Sequence, residues 1–226
     1  MICTFITLSY MLVLYALSLV FLNLTYNPKK EKSFFSYLKS EWVFLIFSVI
    51  VMASELILVA IYTSNKDLDA LPRILKWTTL YMGLWLLTKT DFKERKIPNK
   101  IIIILLGMRM AFLIYEICVD IELAGSTIVY PLLGGGIGAV ILFVAMLVSR
   151  KGVGMGDVKM FFVIGLFVGS TEIISVMFYT FLISAIVGIV LLCIKKAKLN
   201  DSVPMAPFAF LGMTFQFFML MLGGYT

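Results

Sequence analysis

The sequence predicts an all-α polytopic membrane protein of about eight transmembrane helices, and three observations carry that prediction. Of 226 residues, 62% are hydrophobic and only 14% are charged. The mean hydropathy is +1.04. A soluble domain is about 45–50% apolar even with glycine counted, so this chain has too little polar surface to clothe a water-soluble core. The third observation is spacing: the charges fall between apolar runs, and at roughly 20 residues per span the length allows about seven or eight crossings. An ordinary cytosolic enzyme and a separate soluble domain are both excluded.

Apolar runs between charged interruptions place the spans at 3–25, 42–63, 74–90, 100–119, 129–149, 158–169, 171–194 and 204–225. No Lys or Arg precedes the first span, so it is not expected to be a cleavable signal peptide. Lys29 and Lys30 follow it and point its amino terminus outward. The second carries Glu55 and the fourth Arg109, two charges deep in apolar runs. Either alone in hydrocarbon costs on the order of 3 kcal/mol or more, so a Glu55–Arg109 ion pair is the economical expectation, with Glu116 close enough to the outer face to reach water. The fifth span holds Gly134, Gly135, Gly136 and Gly138, small residues that let helix backbones approach closely. The sixth, between Asp157 and Gly169, is short for a full crossing.

Alternating eight spans from an outward amino terminus puts 15 of the 19 basic residues on the inner side. Only Lys66, Arg73 and Lys76 fall outside, with Arg109 within a span. Basic loops are retained in the cytoplasm during insertion, so the plasma membrane is the expected location. The net charge of +6 then reflects orientation and anionic lipid. It requires no nucleic-acid partner.

The chain contains no histidine, which removes Ser-His-Asp triads, Cys-His dyads and His-ligated zinc. Cys3, Cys118 and Cys193 are far apart in apolar surroundings, where they read as small packed residues and not as a zinc site or a disulfide framework. No metal or other cofactor is expected.

Carboxylates remain for acid and base work. Asp91 closes the third span and Asp157 opens the sixth, with two crossings between them, so both return to one face, the cytoplasmic one by the charge distribution. Two apposed carboxylates in a partly dry site share one proton. One then takes a proton from water while the other donates to a peptide carbonyl or leaving nitrogen. That is aspartic peptidase chemistry. The bland reading is that both are ordinary acids at helix ends, Asp157 capping a helix N-terminus. The glycines before Asp157 are expected to allow turns closed to other residues and to leave room for an extended substrate.

The segments around these aspartates resemble the signature of the type IV prepilin peptidases, membrane aspartic peptidases of the Gly-x-Gly-Asp class that includes archaeal preflagellin peptidases and, more distantly, presenilin. The elements are Asp91 followed by Ile97-Pro98-Asn99, then Gly154-Met155-Gly156-Asp157-Val158-Lys159, then Pro204-Met205-Ala206-Pro207-Phe208. The resemblance covers about 77–225. It implies the Gly-x-Gly-Asp intramembrane aspartic protease fold, with Asp91 and Asp157 as the catalytic pair. It implies that Gly154 and Gly156 shape the approach to Asp157, and that Pro204 and Pro207 set the last helix beside the site. Lys159 is implied either to hold a substrate carboxylate or tune the aspartate, or simply to snorkel. Pro204 and Pro207 also read as prolines at a helix start.

On this reading residues 1–76 form amino-terminal transmembrane helices with a short basic loop, and 77–226 form the peptidase domain. The resemblance implies substrates that are prepilin or pseudopilin precursors, with a short basic leader in the cytosol and an apolar helix in the lipid bilayer. Bifunctional members carry two Cys-x-x-Cys pairs after the first span and methylate the new amino terminus. Here that loop, Thr25 to Ser33, has no cysteine, so peptidase activity without N-methyltransferase activity is expected. The alternatives are a proton-coupled carrier using Asp91, Asp157, Glu55 and Arg109 as a relay, and a protein that binds pilins without cutting them.

Overall fold

The computed structural model describes residues 2–26, 71–121, 124–148, 153–194 and 204–222. Among them lie the helices α1 (Ile2–Tyr26), α2 (Leu71–Glu94), α3 (Asn99–Val119), α4 (Ala124–Val148), α5 (Met155–Val168), α6 (Ile173–Cys193) and α7 (Ala206–Leu222), and no strand. The expected span at 42–63, with Glu55, lies outside the described residues. The chain divides into two compact units between Thr78 and Thr79, within α2. The site lies in the second.

Three helical stretches among the described residues are long and apolar enough to cross a membrane: Asn99–Val119, Gly125–Val148 and Ile173–Cys193. Their outward faces are apolar too, with Ile103, Val140 and Ile189 each more than half exposed. A helix that is hydrophobic all round belongs in a large core or in lipid, and these faces have no core against them. The protein is an all-α polytopic membrane protein. Cys118 and Cys193, expected as packed residues, are free thiols on exposed positions of α3 and α6.

The second unit is built on close backbone approaches. A Cβ at Gly134 would fall 2.5 Å from the Gly165 carbonyl oxygen, and one at Gly138 would fall 2.7 Å from that of Phe161, so α4 and α5 meet along a seam of small residues. Pro131 interrupts the α4 ladder, and the Tyr130 carbonyl beside it accepts the Ser170 N–H from the α5–α6 turn at 3.1 Å. Such turns and helix-interior prolines are tolerated at membrane depth only where neighbouring protein satisfies the backbone. Gly169, at φ 87°, makes the turn that a side chain would strain.

Helix α5 is short and wrapped. Its 14 residues extend about 21 Å at 1.5 Å per residue, less than the roughly 30 Å hydrocarbon core. Eight of those residues are buried, Val158, Met160, Phe161 and Ile164 among them. Helix α7 packs its Phe210 ring 4.5 Å from Tyr81 and 5.7 Å from Trp85 of α2, and Tyr179 of α6 meets Phe215 at 4.7 Å. Gly212 of α7 closes on the Thr180 backbone of α6. These contacts bring the start of α7 to the end of α2.

Candidate active site

Asp91 lies in the last turn of α2 and is buried, 5% exposed. The helix ends three residues later, at Glu94. Arg95 takes a left-handed conformation, φ 52°, and its N–H donates to the Asp91 carbonyl at 2.8 Å, an αL termination made without glycine. The Asp91 side chain points at the first turn of α7, where the Ala206 N–H donates to Oδ2 at 2.9 Å. Pro204 and Pro207 flank that turn. The helix therefore begins where two ring nitrogens have no hydrogen to offer, while the free amides at its N-terminus meet a carboxylate. Burial holds the Asp91 carboxyl above its ordinary range, opposed by the Ala206 amide, the Met205 amide and the Arg95 charge.

Asp157 is the third residue of α5, half-buried, and its carboxylate accepts the Gly154 N–H at 3.0 Å while its own N–H donates to the Gly154 carbonyl at 3.0 Å. The capping expected of an acid at this place is present. Burial raises the Asp157 carboxyl, the Gly154 amide opposes the rise, and the charge of Asp91 adds to it. The two carboxylates, 66 positions apart, are thus electrostatic neighbours. Both sit just beyond the ends of the spans expected from the sequence at 74–90 and 158–169.

The other expected residues distribute unevenly. Gly154 has φ −90° and Gly156 is helical, so neither uses a backbone region closed to other residues, which corrects that expectation. Gly156 matters through space instead: a Cβ there would fall 3.0 Å from the Ile97 Cβ. Among the described residues, a Cβ at Gly154 would meet the Asp157 carboxylate at 3.5 Å and the Gly156 amide nitrogen at 3.9 Å, both ordinary contacts. The Lys159 ammonium donates to Asn99 Oδ1 at 3.1 Å. Two of the sequence elements, Ile97-Pro98-Asn99 and Gly154 to Lys159, are therefore packed on one another.

Sequence reasoning missed three contributors: the Met205 and Ala206 amides, the left-handed Arg95, and the contacts of Arg109 with Glu116 and Leu166. That arginine pairs with Glu116 Oε2 at 3.0 Å and donates from Nε to the Leu166 carbonyl at 2.7 Å. The expected partner Glu55 is outside the described residues. The missed signal was the spacing from 109 to 116, two helical turns on one face. Among the described residues no His, Cys, Asp or Glu group could hold a metal ion.

Two neighbouring carboxyls, both raised by burial, on two helices and beside a helix N-terminus, can activate water and protonate a leaving group if they share one proton. The profile of the type IV leader peptidase family matches residues 78–192. A Bacillus subtilis (strain 168) protein named prepilin leader peptidase/N-methyltransferase is 31% identical over 118 residues, 52% of this chain and 45% of that relative. The chain thus spans under half of the relative's length. No solved structure matches it.

Proposed function

The chain belongs to the type IV leader peptidase family, and we propose that it is a membrane-embedded aspartic endopeptidase that removes the short basic leader from prepilin-like precursors at the cytoplasmic boundary of the membrane. The observation that carries the reading is the neighbourhood of Asp91 and Asp157, each raised by burial, with the Asp91 charge acting on Asp157. In a chain without histidine this pair is the natural acid and base.

Their surroundings divide the labour. Asp91 has two amides and the Arg95 charge favouring its ionised form, whereas Asp157 has one amide, and each carboxylate has the other as a negative neighbour. The pair holds one proton between them and titrates as a unit, and the amide donated from Ala206 makes Asp91 the member placed to work as base. Asp91 then accepts a proton from the attacking water. Asp157 donates to the scissile carbonyl and takes part in protonating the leaving amine. A substrate with a cytosolic leader and a lipid-embedded helix presents its cleavage point at the depth of these carboxylates. The three cysteines of the sequence form no Cys-x-x-Cys pair, so the reading is of a peptidase alone, although the relative's name includes a methyltransferase.

Co-expression with a prepilin from the same cell, followed by mass spectrometry of the product, tests this. Leader loss is expected to fall about 100- to 10,000-fold in Asp91→Asn and in Asp157→Asn. The new amino terminus is expected to carry no added methyl group. Undiminished processing in both variants overturns the mechanism, and a methylated product overturns the restriction to peptidase activity.

A further inference from the structure

Helix α5 carries Asp157 at its start and ends, about 21 Å later, short of the far side of the hydrocarbon. The last carbonyls of a helix have no partner within it, and water is not available at that depth. One of them, Leu166, is met by Arg109 of α3, which is 3% exposed and donates from Nε at 2.7 Å. The guanidinium also complements the negative end of the α5 dipole. Glu116 balances its charge from the same face of α3 at 3.0 Å. An arginine buried in a membrane protein is expensive unless paired in this way.

The opposite end of α5 is tied to the same neighbour. Lys159 bonds Asn99 at 3.1 Å, where α3 begins, and Gly156 seats against Ile97. Helices α3 and α5, joined by the antiparallel α4, therefore run parallel and are connected by two polar rungs, Asn99–Lys159 and Arg109–Leu166. Between the rungs the contacts of α5 are apolar or with the smooth glycine face of α4, and such contacts tolerate sliding better than a hydrogen bond does. The Asn99–Lys159 rung is exposed and correspondingly weak. The Arg109 rung is buried.

We propose that Arg109 is a positioning residue: by capping the carboxyl end of α5 from α3, it fixes the depth of that helix and so the height of Asp157 opposite Asp91. This rests on the peptidase reading for its effect on turnover, but the position of α5 can be read without catalysis. In the full chain with Cys3, Cys118 and Cys193 replaced by serine, an Ile97→Cys, Gly156→Cys pair reports the register, because a Cβ at Gly156 lies 3.0 Å from the Ile97 Cβ and a small relaxation brings the two to the roughly 3.5–4.5 Å that a disulfide spans. Adding Arg109→Met is expected to slow disulfide formation about 5- to 30-fold, the range of an interhelical polar contact in a bilayer. Arg109→Lys, which keeps the charge, is expected to fall between.

On the unmodified background Arg109→Met is expected to lower kcat for leader removal with KM little changed. It is also expected to move the alkaline limb of the kcat–pH profile to lower pH, because two carboxylates held further apart lose their shared proton more readily. A merely structural role would reduce the amount of folded protein and leave both readouts of the folded fraction unchanged, and that result overturns the proposal. If Arg109→Met does not fold, Arg109→Lys decides by the same two measurements. If the cysteine pair cross-links as expected while the wild-type chain cleaves no prepilin, the peptidase reading is overturned and the positioning of α5 stands.

Discussion

The surroundings of Asp91 and of Asp157 solve one problem by opposite means. Each places a carboxylate near the end of a helix and supplies it with backbone amide donors that keep it usable. Asp157 draws on its own turn, from Gly154 three residues back. Asp91 draws on α7, from Ala206, 115 residues away. The first arrangement forms whenever α5 forms. The second exists only when α2 and α7 are packed, through Phe210 on Tyr81 and Trp85. A local cap is robust, and a borrowed one links the ionisation of Asp91 to tertiary structure.

The comparison breaks most sharply at Ala206. Proline is accepted at the first position of a helix, so Ala206→Pro removes the donor to Asp91 with the helix start retained. Turnover is expected to fall about 10- to 100-fold, and the acid limb of the pH profile to rise by about one unit, the effect of losing a hydrogen bond to a charged group. Kinetics across a pH series measures both. An unmoved acid limb would assign that limb to Asp157 instead.

A second effect concerns stability. Burial raises both carboxyls above 3.8, so the folded protein keeps protons that the unfolded chain releases. Their contribution is therefore fully present below about pH 4 and is lost as pH rises through the folded values. The melting temperature in detergent is expected to fall with rising pH across that window. Asp91→Asn and Asp157→Asn should each flatten the curve, and parallel curves for wild type and variants would contradict the raised values.

The smallest expected effect is at Arg95. A non-glycine residue in the left-handed region costs roughly 1 kcal/mol, so Arg95→Gly should raise the unfolding free energy by about 0.5–1 kcal/mol. It also removes a cation that favours ionised Asp91, so the acid limb should rise by less than for Ala206→Pro. Thermal unfolding together with the same pH series separates the gain in stability from the change in ionisation.

What was legible in the sequence follows the division between local and borrowed. The helices, the common face of Asp91 and Asp157, and the cap at Asp157 depend on period, crossing parity and a three-residue spacing, all of which are written along the chain. The close approach at Gly134 and Gly138 was likewise readable from small residues within an apolar run. Pro204 and Pro207 announced a helix start but not the carboxylate its amides would meet, because that depends on α7 folding back on α2. Arg109 was read as needing an acid, but Glu116 on its own helix was assigned to water. Its bond to Leu166 had no sequence signal at all, since a backbone carbonyl is the same at every residue. The expected use of glycine freedom at Gly154 failed for a related reason: glycine there is compatible with φ −90°, which any residue adopts.

The distance in sequence between Asp91 and Ala206 also sets a clock. A ribosome adding 5–20 residues per second needs roughly 6–23 seconds to make the 115 residues that separate them. Throughout that interval the nascent protein has Asp91 without the Ala206 amide. On the peptidase reading proposed above, the surroundings of Asp91 are therefore complete only once the start of α7 has been made and packed against α2.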